Sequence, residues 1–301
     1  VDNLTKMLLA QLANAKSNPD FLMQEKVADV TYGHNPRRQM ISTEIVNKFD
    51  FEQLPGIYAK LYPGANGFVF TFVGNIDPET LKPLVEKYIG SIPAARKPIN
   101  YVDDKAYPVK GEVTEEFTAP MQQPKVSVNY HFSGEMPYTL KNKMALTFLT
   151  QALNSRYLVS IREEKGGTYG VRVQGSTKYI PRETYSMTIS FDTNEEMADE
   201  LVPIVFDEIE KIATEGPEAK DINDSREYLV KQFKNTLENN GTWFGLIDDY
   251  NRHKQNLLAD YEKTLNSITY DEIRDLAKKL LDSGNVIQVT MRPEAQPETD
   301  E

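Results

Sequence analysis

The sequence predicts an α+β chain made of a repeated sheet-plus-helices unit, one copy partial and one complete. Three observations lead there. Apolar residues recur at helical spacing in some segments and alternate with period two in others. Gly and Pro punctuate the boundaries between those segments. The chain also overlays on itself at an offset of 219 without a gap, residues 47–72 meeting residues 266–291.

Along the chain, Phe68, Phe70 and Phe72 alternate with Val69, Thr71 and Val73. Such a nearly all-apolar run predicts a strand buried on both faces. Asp77 as cap, Pro78 at the first helical position and Gly90 as stop predict a helix from about Pro78 to Ile89. Ser91 to Gly111 holds Pro93, Pro98 and Pro108 without periodicity and reads as a linker. Val126, Val128, Tyr130 and Phe132 alternate with Lys125, Ser127, Asn129 and His131, the pattern of a half-buried strand.

A helix through Met144, Phe148, Leu149 and Ala152 follows, then a second helical piece through Leu158 and Ile161 that stops at Gly166 and Gly167. Strands are expected at Tyr169 to Gln174 and Tyr185 to Phe191. Core-facing helical stripes run through Met197, Leu201, Ile204, Val205, Ile209 and Ile212, and through Leu229, Phe233 and Leu237. The tail from Pro293 is acidic and poor in apolar residues, so disorder is expected there.

The self-overlay sets the domain reading. Asn47, Lys60, Asn66 and Thr71 meet identical residues at Asn266, Lys279, Asn285 and Thr290, and the apolar register holds without a slip. Farther back, Leu8, Leu9 and Leu12 fall near Leu229, Val230 and Phe233. The first copy lacks its N-terminal half. The expected boundaries are a partial unit at 1–95, a linker at 96–111, a complete unit at 112–292 and an acidic tail at 293–301. With no initiator Met, the chain is expected to be a mature or excised piece of something longer.

Composition bounds the chemistry. The net charge of −11 argues against nucleic acid or an anionic membrane as the main partner, since both are polyanions. The absence of cysteine excludes disulfides, a thiolate nucleophile and cysteine-ligated metal. No apolar run approaches the length of a membrane span. The three histidines, His34, His131 and His253, form neither H-E-x-x-H nor H-x-x-E-H. His131 with Glu135 is the nearest pair, and it reads as incidental; His34 reads as a loop residue and His253 as part of a helix surface. The adjacent carboxylates Asp248 and Asp249 read as a solvated face. No catalytic or metal-ligating residue is assigned.

One segment is dense in signals: a helix carrying Arg162 in its last turn, the Gly166 and Gly167 break, and Tyr169 opening a strand. Here, and at residues 67–93 with their strand, Asp-Pro helix and Gly-x-x-Pro exit, the chain resembles the insulinase and pitrilysin-like zinc metallopeptidases, relatives of the mitochondrial processing peptidase. The resemblance runs from roughly Leu4 to Pro293. It implies an α+β repeat of this size and a two-half enzyme whose catalytic half carries H-x-x-E-H. The other half supplies an Arg and a Tyr seven positions apart that contact the bound peptide.

Arg162 and Tyr169 have that spacing, so the resemblance makes them substrate-binding residues: Arg162 holding carbonyls or a carboxylate, Tyr169 donating to the scissile carbonyl as it becomes an oxyanion. The zinc-binding motif is absent, which implies a non-catalytic C-terminal part, with zinc in the N-terminal half or a partner chain. A structural reading of the pair stays open. Strand parity puts Tyr169 with Val171 and Val173, as a core residue would be, and Arg162 would suit a helix C-terminus. The expected partners are a peptide substrate and a catalytic half or partner subunit. The alternatives are an inert family member acting as scaffold, and a generic α+β interaction domain. A bacterial cell envelope or periplasmic location is a guess from the family, the cytoplasm being the other possibility.

Overall fold

The structure, a computed structural model, describes residues 2–94, 101–163, 165–166, 168 and 170–295. Five helices come first: α1 (Asp2–Lys16), α2 (Pro19–Thr31), α3 (Thr43–Lys48), α4 (Leu54–Leu61) and α5 (Pro78–Tyr88). Local chemistry sets their starts. The Asn18 side chain accepts from Asp20 N, Ser42 from Ile45 N, and Asp77 from Glu79 N, each satisfying a donor at a helix N-terminus.

Residues 112–293 supply the sheet. Its strands are β1 (Glu112–Ala119), β2 (Val126–Glu135), β3 (Val171–Lys178), β4 (Thr184–Thr193) and β5 (Val286–Pro293), in the order β1-β5-β2-β4-β3. β1 and β5 are parallel, and the other neighbours are antiparallel. Between them lie α6 (Leu140–Tyr157), continued by a π-helical segment at Leu158–Glu163, then α7 (Glu195–Glu215), α8 (Ala219–Thr236), α9 (Asn240–His253), α10 (Tyr261–Ser267) and α11 (Tyr270–Asp282). Thr269 and Glu272 close α11 with a capping box.

One face of the sheet carries the main core. Val128, Tyr130 and Phe132 of β2 and Met187 and Ile189 of β4 are at most 2% exposed, packed under Phe148 and Leu149 of α6 and Leu201, Val205 and Ile209 of α7. Each such side chain contributes roughly 1.5–3 kcal/mol by burial. The buried Tyr157 hydroxyl donates to Val205 O at 2.7 Å, which spares the core an unpaired polar group. Gly175 of β3 lets α6 come close: a Cβ there would lie 2.7 Å from Leu146 Cγ.

The second face is only half covered. Met23 and Val30 of α2 pack on Ile287, Val289 and Met291 of β5 and on Ala119, forming a smaller core. Lys26–Glu115 at 3.3 Å, Lys125–Asp20 at 2.8 Å and Val109 N donating to Thr31 O at 2.9 Å tie α2 to the sheet. The β2–β4–β3 half of that face carries Asn129, His131, Thr188 and Gln174 and is left polar.

The mixed α+β reading is correct, and most elements fall where the spacing places them. Three details differ. The strand predicted at Phe68–Val73 forms no ladder: Phe68, Val69, Phe70 and Phe72 are 43–65% exposed, because no described segment lies alongside to hydrogen-bond with it. β1 has no counterpart among the expected strands. The last strand runs on through Pro293, which pairs with Ala119, and residues from 296 onward lie outside the described residues.

Candidate functional site

Arg162 sits in the π-helical segment that extends α6. π geometry is rare and recurs at functional sites. Ile161 is fully buried and pins this segment against α7 and β3, which turns the next side chain, Arg162, out to solvent. Among the described residues no carboxylate pairs with its guanidinium, so the fork of donors is open to a ligand. Gly166 N donates to Arg162 O at 3.0 Å, and Gly166 holds φ at +67°, a left-handed conformation that glycine adopts freely. A left-handed glycine at that bond is the usual way for a helix to end. Tyr169, the other predicted contact, lies outside the described residues, as does Gly167.

The histidines are dispersed. His34 sits in a loop, its Nδ1 2.6 Å from Asp29 Oδ2. His131 and Glu135 lie on one face of β2 but four positions apart, about 13 Å at ~3.3 Å per strand residue, so the pair does not converge. His253 is not on a solvated helix surface: its ring packs on Tyr138 and Tyr179, and Nε2 lies 3.3 Å from Asp249 Oδ1. Asp248 and Asp249 also part company. Asp248 pairs with Arg252 at the surface, while Asp249 turns inward to accept from the Tyr138 hydroxyl at 2.9 Å. The solvated reading of Asp249 is thus corrected.

Among the described residues no three His, Asp or Glu side chains converge, so these residues do not fit a zinc ion. Nor is any described helix long and apolar enough to cross a membrane.

The polar half-face of the sheet holds a feature that the sequence did not reveal. A cavity of about 310 Å³ lies between it and the chain segment 106–110. His131, Lys178, Lys110 and Tyr185 line it. The Nε2 of His131 is buried and lacks a hydrogen-bond partner, as does Asn129 Oδ1 nearby on the strand. Burial first, and Lys178 second, push the His131 imidazole down to about 4, so it is neutral near pH 7. Burial pushes the Tyr185 hydroxyl up. The alternation through Ser127, Asn129 and His131 announced a polar strand face; the opposite wall, from an aperiodic segment, gave no signal.

Residues 48–229 match the family described as the peptidase M16 inactive domain. The chain is 24% identical over 245 residues to a zinc protease PQQL-like of Arabidopsis thaliana, which covers 76% of this chain and 25% of that protein. It is 25% identical over 257 residues to the probable zinc protease PqqL of Escherichia coli, covering 79% and 27% respectively. It therefore spans about a quarter of the length of these curated relatives. The solved structure of the periplasmic protease PqqL from Escherichia coli superposes with a TM-score of 0.80 at 17% identity, over 97% of this chain and 32% of that one. The resemblance seen around Arg162 and at residues 67–93 is borne out: this chain belongs to the peptidase M16 inactive domain family.

Proposed function

We propose that the chain is the C-terminal, non-catalytic part of a zinc-dependent peptidase. In this reading it closes over an extended peptide held by a zinc-bearing half, supplied by the same protein or by a partner subunit. The observation that carries the reading is the match of residues 48–229 to an inactive peptidase domain. The open guanidinium of Arg162 supports it, since carbonyl and carboxylate oxygens of a peptide are what such a fork binds. Tyr169 would donate to the developing oxyanion. A periplasmic location follows by analogy with PqqL of Escherichia coli.

Residues 1–95 are assigned to the C-terminal half of a first α+β copy and residues 112–292 to a complete second one. In support, α1, α2, α3, α4 and the extended 68–73 segment follow the same order as α8, α9, α10, α11 and β5. Asn18 and Asn239 each cap the second helix of their series through the side chain.

The test is coexpression with a zinc-bearing half carrying H-x-x-E-H, followed by metal analysis and a fluorogenic peptide assay. Expected are a complex whose turnover requires this chain, and neither stoichiometric zinc nor cleavage by this chain alone. One zinc per chain, or chelator-sensitive turnover by the chain alone, would sink the reading. A stable complex whose turnover is indifferent to this chain would favour the scaffold alternative.

A further inference from the structure

The cavity on the polar half-face has the makings of a ligand site apart from Arg162. Lys178 lies at the far end of β3 from Val171, seven residues and about 23 Å away at ~3.3 Å per residue. The Arg162 turn lies at the Val171 end.

Four cations line the cavity, in a chain whose net charge is −11. Two are engaged. Arg38 donates to Ala106 O at 3.3 Å and lies 3.6 Å from Asp104, and Arg182 stacks on the Tyr107 ring at 3.5 Å and reaches Glu135. Lys110 and Lys178 have no carboxylate partner among the described residues. Both lysines are solvent-exposed at the border of the cavity, whose one acidic lining group, Glu135, is already paired with Arg182. Two like charges without a carboxylate partner beside one cavity raise the local concentration of an anion. His131 lies in the same wall with its Nε2 buried and without a hydrogen-bond partner, and a buried polar atom without a partner calls for an explanation.

From this geometry we infer that the cavity binds a carboxylate of a peptide, a C-terminus or an acidic side chain, through Lys110 and Lys178. The inference rests on the peptide-binding reading above and names a second anchoring point for the same substrate. Pro108, Val109 and Pro181 add apolar surface beside Ser133, Thr184, Ser186 and Asn285, a mixed wall that suits a carboxylate on an organic stem. A bare phosphate is the poorer fit: both arginine forks are already committed, and only two point charges are left to meet it.

Calorimetric titration of the full chain tests this with three probes: acetyl-Ala-Phe-Glu with a free C-terminus, its neutral counterpart acetyl-Ala-Phe-Gln-amide, and inorganic phosphate. The acidic peptide should bind one to one and the neutral one at least about tenfold more weakly, the cost of losing a charge-assisted pair. Lys110→Met with Lys178→Met should cost about the same factor, and Lys178→Arg alone should retain binding.

Equal binding of the neutral peptide would overturn the proposal, as would no binding of either peptide. Phosphate binding as tightly as the acidic peptide and displacing it would equally overturn the assignment to peptide. An acidic peptide that is sensitive to Arg162→Ala and indifferent to both lysines would end this inference while leaving the peptide-binding reading intact.

Discussion

The Tyr138 hydroxyl donates to Asp249 Oδ1 at 2.9 Å, joining residues 111 positions apart and fastening the segment after β2 to α9. Lys143 Nζ lies 3.5 Å from the other carboxylate oxygen, and His253 Nε2 lies 3.3 Å from the first. α9 has no fully buried side chain of its own, so this cluster substitutes for an apolar anchor. Asp249→Ala would strand three partners at once. It should cost about 2–3 kcal/mol, within the penalty for leaving buried polar groups unpaired. Asp249→Asn keeps an acceptor and should cost less. Urea unfolding of both variants checks this, and equal losses would mean that the charge alone matters.

The same residues show why part of the structure was legible in the sequence and part was not. Caps are local: Asp77 and Pro78 announce α5 because the donors they satisfy lie within one turn. Asp249 and Asp248 are indistinguishable in sequence, and only the remote Tyr138 turns one of them inward. The Phe68–Val73 run has a strand's alternation, but a strand exists only beside another strand, and periodicity says nothing about a neighbour. The polar face of β2 could be read from Ser127, Asn129 and His131. The cavity could not, because its second wall comes from residues 106–110, where no periodic pattern operates.

The exposed run at Phe68, Phe70 and Phe72 makes its own prediction. An extended apolar segment without a ladder partner is an association hazard. Phe68→Asp with Phe70→Asp should reduce self-association of the isolated chain, as seen by sedimentation, and leave its melting temperature nearly unchanged. A drop of several degrees would show that these rings are packed in solution.

His131 sets a pH window. In the folded chain its pKa is about 4, below the ordinary imidazole value of 6.5, so between those values the unfolded chain binds a proton that the folded chain does not. Stability therefore falls as pH drops from about 6.5 to 4, then levels off where both states are protonated. The loss from this residue should approach about 3 kcal/mol, at roughly 1.4 kcal/mol for each pH unit crossed. His131→Gln should flatten that part of the stability profile. An unchanged slope in the variant would place the acid sensitivity elsewhere.

Arg162 and Tyr169 carry the last prediction. Arg162 projects to solvent from a π-helical segment held down by Ile161, and Gly166 just beyond it is in a left-handed conformation. Side chains seven positions apart would converge on one groove only across a tight turn, which a glycine in that conformation permits. In the assembled peptidase, Arg162→Ala should mainly raise KM, because a guanidinium holding peptide oxygens acts on the ground and transition states alike. Tyr169→Phe should mainly lower kcat, by at most about 3–4 kcal/mol in transition-state stabilisation, the scale for one oxyanion donor. The two variants are then distinguishable by steady-state kinetics on a single fluorogenic peptide. If Tyr169→Phe instead lowers thermal stability and leaves turnover per folded molecule unchanged, Tyr169 packs in the core with Val173. The substrate role would then fall to Arg162 alone, and if Arg162→Ala is silent as well, the pair has no part in peptide binding.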